Sequence, residues 1–280
     1  MRSPLYISDL DGTLLHPNGD LSANSRTGLN QLIEQPDFHF TIATGRGYYS
    51  TRQKLEGLNI ELPIIVSNGA CITDLQTGQH LLINSIPASL IAELYELIRA
   101  HHCQPLISSN DGQQDHLYAH ANTNEGIRWF QEECAQVKDS RLRSPKLYER
   151  GLTETVTSLT IIEQLPVIEK LHAAIEARYA DILSFHYYEN AYSRGWYWLE
   201  ISSKEANKGH AIQQLCELQL FDNQKLTVFG DNTNDLSMMR TARHKIAVEN
   251  AHLEVKALAS QVIGHCENDA VLNFLNDLTS

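Results

Sequence analysis

The sequence predicts an α/β fold, a doubly wound parallel sheet of the Rossmann-like kind with a second α/β domain inserted into it. Three observations carry that expectation. Short apolar runs alternate with segments of helical period at both ends of the chain. The rhythm changes between about Pro87 and Leu199, and 280 residues are more than one ordinary domain requires. In order, Leu5 to Ser8 reads as a buried strand, Asn24 to Gln35 as a helix with Ser22 as its N-cap, and Phe38 to Ala43 as a second strand. Strand, helix, strand implies parallel pairing through a right-handed crossover. Tyr48 to Gly57 reads as a helix and Ile64 to Ser67 as a third strand; Cys71 to Thr73 and His80 to Ile83 flank Gln76-Thr77-Gly78 as a hairpin. Within the middle stretch, strands are expected at Val156 to Ile162, Ile182 to Tyr188 and Trp196 to Ile201. Helices are expected there at Ala88 to His101, Asn124 to Glu133 and Val167 to Arg178. The first rhythm then resumes with a helix over Ala206 to Leu220, a strand over Leu226 to Phe229, a helix over Leu236 to Thr241 and a strand over Lys245 to Val248. The domains so read are 1–84 with 200–280, and 85–199 inserted between them.

Composition narrows the function. With 34 Asp and Glu against 22 Lys and Arg, the formal charge is -12, so a nucleic-acid partner is not expected. Any anionic substrate must be met by a local positive device. The five cysteines are scattered without a C-x-x-C pair, which reads as a reducing cytoplasm, with no disulfide framework or zinc knuckle. No signal peptide is indicated, and the longest apolar runs, such as Leu62 to Val66, fall far short of the roughly 20 residues that cross a bilayer. A soluble cytoplasmic protein, monomeric or weakly dimeric, is the expectation.

The strongest chemical signal is Asp9-Leu10-Asp11-Gly12-Thr13-Leu14-Leu15, directly after the first strand. Two apart on an extended segment, Asp9 and Asp11 share a face, and Gly-Thr lets the chain turn away. Two acids held close repel each other, which favours a bound cation or a shared proton. One carboxylate can then attack while the other handles protons, the division of labour that covalent phosphoryl transfer requires. An Asp-Gly turn ending a strand is the plainer explanation, but five agreeing positions at a strand end favour chemistry.

At this point the sequence resembles the haloacid dehalogenase-like superfamily (HAD), whose first motif has the form D-x-D-G-T. The other family motifs follow in order. Thr41-Ile42-Ala43-Thr44-Gly45-Arg46 comes after the second strand, and the resemblance makes Thr44 the hydroxyl that bonds the transferring phosphoryl group, with Gly45 and Arg46 beside it. A hydroxyl and free N–H groups at a strand-to-helix turn make an anion cradle. Lys208, in Asn207-Lys208-Gly209, matches the family lysine that neutralises nucleophile and phosphate, and is preferred to Lys204. The last motif is Phe229-Gly230-Asp231-Asn232-Thr233-Asn234-Asp235. Hard carboxylate oxygens suit Mg²⁺. By resemblance Asp231 takes the metal with Asp9 and the main-chain carbonyl of Asp11, supported by Asn234 and Asp235. Ser67-Asn68-Gly69-Ala70 and Ile246-Ala247-Val248-Glu249-Asn250-Ala251 look like the Cof-type branch. That branch consists mostly of small-molecule phosphatases; Asn68 would contact the phosphate or order the loops, and Glu249 stands where the branch commonly has Gly.

Spacing locates the insertion. Between Asp11 and Thr44 lie 32 residues, which a turn, a helix and a strand consume; between Thr44 and Lys208 lie 163, enough for further core elements and a domain. The insertion therefore follows the second motif, as in the family's C2 cap class, and its α/β character suggests the C2B type. His101-His102-Cys103 and His265-Cys266 read as packed or solvated residues, because adjacent side chains point apart. Tyr187, Tyr188, Tyr192, Trp196, Tyr197 and Trp198 are expected mainly to pack the cap, with a ring or two left for a substrate.

The resemblance thus implies a Mg²⁺-dependent phosphomonoesterase acting on a small phosphorylated metabolite, a sugar phosphate or phosphorylated cofactor, through an aspartyl phosphate on Asp9. Asp11, Thr44 and Lys208 complete the catalytic set. A phosphomutase could use the same motifs, and a non-catalytic phospho-ligand binding module could keep the fold. The module would be expected to have lost one of Asp9, Asp11 or Asp231, and none is lost. Dehalogenase chemistry is disfavoured by the presence of Asp11.

Overall fold

The computed structural model describes residues 4–121, 124–136, 138–190 and 193–279, except the side chains at 223 and 279; Tyr192 lies outside them. The chain divides into two compact units, Met1–Ile83 with Glu205–Ser280, and Asn84–Lys204.

The first unit begins with β1 (Leu5–Ser8), α1 (Ala23–Ile33), β2 (His39–Ile42) and α2 (Tyr48–Lys54), followed by β3 (Ile64–Val66), β4 (Cys71–Thr73) and β5 (His80–Ile83). α1 starts where Ser22 can cap it, its side chain accepting from the Ser25 N–H. β3, β4 and β5 form a small antiparallel sheet, and a parallel bridge from Ala43 to Ile65 joins it to the end of β2.

The second unit contains α3 (Ala88–Ala100), β6 (Leu106–Asn110), β7 (Asp115–Tyr118), α4 (Glu125–Gln136), α5 (Tyr148–Gly151), β8 (Thr155–Glu163), α6 (Leu165–Tyr179), β9 (Leu183–Glu189) and β10 (Tyr197–Ser203). Its five strands run in the order β7-β6-β8-β10-β9 with antiparallel neighbours. α3 and α6 bury Leu94, Ile98, Ile168, Leu171 and Ile175 against the sheet's Ile107, Leu159, Ile161, Leu199 and Ile201. On the opposite face Ile127 and Cys134 of α4 cluster with Leu106, Leu117 and Ile162. The aromatic run is largely packing here. Trp198 meets Phe130 edge to face, while Tyr187 and Tyr188 are exposed.

The chain returns to the first unit through α7 (Lys208–Gln219), β11 (Leu226–Gly230), α8 (Leu236–Thr241), β12 (His244–Ala247), α9 (Leu253–Leu258), β13 (Gln261–Val262) and α10 (Ala270–Thr279). The main sheet has the order β13-β12-β11-β1-β2 and is parallel throughout. β1 and β11 lie at its centre and are buried along their whole length. In such a sheet the carboxyl ends of the central strands are where ligands bind. Among the described residues no helix is long and apolar enough to cross a membrane, and all five cysteines are free and buried.

The entry to α10 is tied to the start of α1. Asp269, in the left-handed region at φ 53, accepts hydrogen bonds from the hydroxyls of Ser22 and Ser25 at 2.6 and 2.8 Å and from the Asn24 amide at 2.9 Å, and pairs with His16 Nε2 at 2.9 Å. Burial raises the Asp269 pKa, but the four partners outweigh it and bring it down to about 2. A depressed folded pKa contributes stability above the unfolded value, and that stability is lost as pH falls. Asp269→Asn, which keeps the side-chain shape, is expected to cost about 2 kcal/mol at neutral pH. The deficit should close between about pH 4 and pH 2, read from urea melts; a pH-independent deficit would contradict the assignment.

Candidate active site

Five strand or helix ends supply the site. Asp9 follows β1, its N–H bonded to Phe229 O at 2.9 Å, and is 5% exposed. Gly12, at φ 77, turns the chain back so tightly that a Cβ there would lie 2.5 Å from Asp231 Oδ2. This is the conformation and approach that only glycine supplies. Thr13 then donates its hydroxyl to Asp231 Oδ1 at 2.9 Å. Asp231 itself follows β11, and the next residues begin a turn in which Asp235 Oδ2 accepts the N–H groups of Asp231 and Asn232 at 2.9 and 3.0 Å.

Lys208 opens α7 because Asn207 caps it, its side chain accepting the His210 N–H at 2.9 Å. The lysine is wholly buried, and its Nζ donates to Asp9 Oδ1 at 2.5 Å and Asp235 Oδ1 at 2.6 Å. Burial works against its charge, but Asp9 and Asp235 outweigh burial and hold its pKa above the usual lysine value. The carboxylates show the opposite balance. Burial pushes Asp9 up to about 8, opposed by Lys208 and reinforced by the negative charges of Asp235 and Asp231. Burial likewise raises Asp231 to about 6, against the hydrogen bond from Thr13.

Phosphate-binding candidates surround this centre. Thr44 follows β2; its N–H bonds Ile65 O, and its hydroxyl accepts the Arg46 N–H at 3.1 Å. Ser67 and Asn68 stand at φ 52 and 54, and Gly69 at φ 96 passes so close to Asn207 that a Cβ would lie 2.3 Å from its carbonyl oxygen. The backbone strain of two left-handed non-glycine residues places the Asn68 amide, which accepts from Asn234 Nδ2 at 3.0 Å. Gly45 lies beneath it; its Cβ would be 3.0 Å from Asn68 Oδ1. Arg46 does not stand apart as a lone anion receptor, because its guanidinium grips both oxygens of Asp11. Those hydrogen bonds raise the Arg46 pKa still further.

Asn250 lies in the stretch Ile246 to Ala251, and nothing in that stretch assigns it a task. Its Nδ2 donates to Gly12 O at 2.6 Å while its Oδ1 accepts the Cys266 N–H at 3.1 Å, so it braces the Asp9–Gly12 turn from the end of β12. The available signal was its place after a strand of the parallel sheet. Glu249 beside it is absent from the residues with positive φ, so a side chain there brings no backbone strain.

The same residues fit a divalent cation. Oxygens of Asp9, Asp231 and Asp235 lie within 4.8 Å of one another. Three carboxyls face one ammonium, so the site is short of positive charge once all three are ionised. Both oxygens of Asp235 already accept hydrogen bonds, so Asp9 and Asp231 are the freer donors.

The family model of the haloacid dehalogenase-like hydrolases matches residues 6–275. The chain belongs to this family. Over 98% of both proteins it is 26% identical to a pyridoxal phosphate phosphatase of Escherichia coli. It is also 26% identical to a 5-amino-6-(5-phospho-D-ribitylamino)uracil phosphatase of Bacillus subtilis, over 99% of this chain and 97% of that one. Among solved structures, a Thermotoga maritima protein superposes with a TM-score of 0.80 at 24% identity, covering 99% and 98% of the two chains. This haloacid dehalogenase-like hydrolase is a phosphatase of the Cof-type branch.

The raised carboxyls set a pH dependence for the cation. In the metal-free hydrolase Asp9 and Asp231 retain protons that ordinary carboxylates have released, and a metal must displace them. A divalent cation held by these carboxylates, with Mg²⁺ as the probe, should therefore raise the Tm little at about pH 5.5 and progressively more toward about pH 8. Equal Mg²⁺ shifts across that range would contradict the carboxylate assignment.

Proposed function

We propose that this hydrolase is a Mg²⁺-dependent phosphomonoesterase of small phosphorylated metabolites, a sugar phosphate or a phosphorylated cofactor, working through an aspartyl phosphate. The observation that carries the reading is Lys208 joined to Asp9 and Asp235 at the carboxyl ends of β1 and β11, with Asp231 beside them. Asp9 is the nucleophile: buried, with its Oδ1 held by Lys208. Asp11 is the proton donor to the leaving alkoxide and then the acceptor from the hydrolytic water. Thr44, Gly45, Asn68 and Asn234 orient the phosphoryl oxygens, and Lys208 carries the compensating charge. Asp9, Asp231 and the Asp11 carbonyl would hold Mg²⁺, with Asp235 steadying Lys208 and the turn. When bound, the ion neutralises the phosphoryl oxygens that the transition state loads with charge. This arrangement answers the acidic surface: the positive device is one buried lysine and one cation. The second unit, inserted after Thr44, takes the part of a C2B cap that selects the substrate.

The relatives' named substrates, pyridoxal phosphate and a ribitylamino uracil phosphate, support a small phosphorylated metabolite. A panel of phosphorylated cofactors and sugar phosphates, assayed for released inorganic phosphate with Mg²⁺ and with excess chelator, tests the reading. Release from at least one monoester, abolished by chelator and restored by Mg²⁺, is expected. Isomerised sugar phosphate without free phosphate would instead mark a mutase.

A further inference from the structure

Arg46 stands between two anions that cannot both have it. Its Nε and Nη2 donate to Asp11 Oδ2 and Oδ1, each at 2.6 Å, while Nη1 donates to Ser50 Oγ at 2.8 Å. This is the parallel fork with which arginine grips a carboxylate, and the same fork fits a phosphate. The pair is partly solvated, the Arg46 and Asp11 side chains being 28% and 49% exposed, so it is held in geometry without being locked by burial. Both Asp11 oxygens are occupied.

The chemistry requires at least one of them. In the first step an Asp9 oxygen bonds to phosphorus as the ester P–O bond breaks; its electron pair stays on the leaving oxygen, which takes a proton from the Asp11 carboxyl. In the second, water oxygen bonds to phosphorus, the Asp9–phosphorus bond breaks, and the proton released by water passes to Asp11. In the fork each Asp11 oxygen spends on Arg46 the lone pair that faces it, so the edge of the carboxylate turned to the guanidinium is closed to a leaving oxygen or a water.

We propose that Arg46 is a substrate-operated release for Asp11: in the empty site it holds the carboxylate, and an arriving phosphate monoester takes the guanidinium and frees Asp11, whose carboxylate takes from solvent water the proton it then gives to the leaving oxygen. The inference rests on the assignment of Asp11 as the proton-transfer group, and it adds that phosphate and Asp11 compete for one side chain. Such an arrangement ties the acid–base group to the presence of an ester.

A double-mutant cycle on phosphate affinity tests it. Inorganic phosphate is titrated by calorimetry, in Mg²⁺, into the full-length wild type, Asp11→Asn, Arg46→Gln and the double variant, with thermal melts confirming folding. Removing the competitor should tighten phosphate binding in Asp11→Asn by about fivefold, and Arg46→Gln should weaken it by about tenfold. In the double variant the Asp11→Asn gain should vanish. Arg46→Lys, which keeps the charge without the fork, should reduce the gain to below about twofold and serves if Arg46→Gln does not fold. No gain in Asp11→Asn, or a gain that persists without Arg46, overturns the proposal; the second result means that Asp11 merely repels phosphate. Hydrolysis of p-nitrophenyl phosphate by the wild type is measured alongside. Turnover without the coupling defeats the release alone, and coupling without turnover defeats the phosphatase reading alone.

Discussion

Asp9→Asn will abolish turnover of p-nitrophenyl phosphate with Mg²⁺, by about 10⁴-fold or more, while leaving the protein folded. In the proposed mechanism the size follows from losing the atom that would bond to phosphorus, since removing a nucleophile leaves only binding and charge stabilisation behind. The folding half follows from the pKa. Burial and the neighbouring carboxylates raise Asp9 from 3.8 to about 8. A raised folded pKa means that the group contributes stability only in acid, and that this is lost as pH rises toward the folded value. An amide at this position has no charge to bury. The metal-free variant should therefore melt no lower than the wild type at about pH 7.5, with any advantage fading toward about pH 4. If Mg²⁺ binds as proposed, it should raise the Tm of the wild type by binding the folded state and that of the variant less. Retained turnover would remove Asp9 as the nucleophile. Lost turnover with a collapsed Tm would show a structural carboxylate in its place.

Much of this site is legible in one dimension because a parallel sheet converts sequence order into spatial order. Asp9, Thr44 and Asp231 each follow an apolar run, and the pairing β2-β1-β11 brings those run ends side by side. Asn207-Lys208 announces itself as a cap followed by a helix, although the expected start at Ala206 is two residues early because Asn207 stays extended to accept the His210 N–H. What could not be read is what long-range polar contacts create. β6 and β7 carry Ser108, Ser109, Asn110 and His116 where a strand pattern wants apolar residues. Ser109 and His116 are nevertheless buried, because Glu154 accepts from the Ser109 hydroxyl at 2.8 Å, from Tyr118 at 2.8 Å and bonds His116 Nδ1 at 2.9 Å. Nothing local in 106–118 shows that a carboxylate some forty positions later will satisfy them. β13 is two exposed residues and leaves no periodicity. The Arg46 grip on Asp11 belongs to the same class: two residues 35 apart, each with a sound separate role in the motif, meet only in three dimensions. Asn250, 238 positions from Gly12, is hidden in the same way.

Lys208→Met should be the most damaging single change to the metal-free protein, costing about 3–5 kcal/mol. Methionine keeps the unbranched stem, and with the side chain wholly buried no water can replace the ammonium. Asp9 and Asp235 would lose their shared counter-charge while Asp231 remains close by. Burying unpaired carboxylates is what makes the loss large, so the remedy should be protons or a cation. Because Asp9 and Asp231 already stand above the ordinary carboxylate range, acidification toward about pH 5 protonates them and should recover a good part of the deficit. Mg²⁺ at neutral pH should recover part of it too. Neither will restore catalysis, which should stay roughly 10³-fold down, since in the proposed mechanism the ammonium also serves the charge that develops on the transferring phosphoryl group. Lys208→Arg should rescue neither property, because a planar fork does not fit a fully enclosed slot shaped around one nitrogen between two oxygens. Urea melts at two pH values with and without Mg²⁺ decide the matter. A small, pH-independent deficit would mean that the lysine is ordinary packing and that the two carboxylates were never its burden to neutralise.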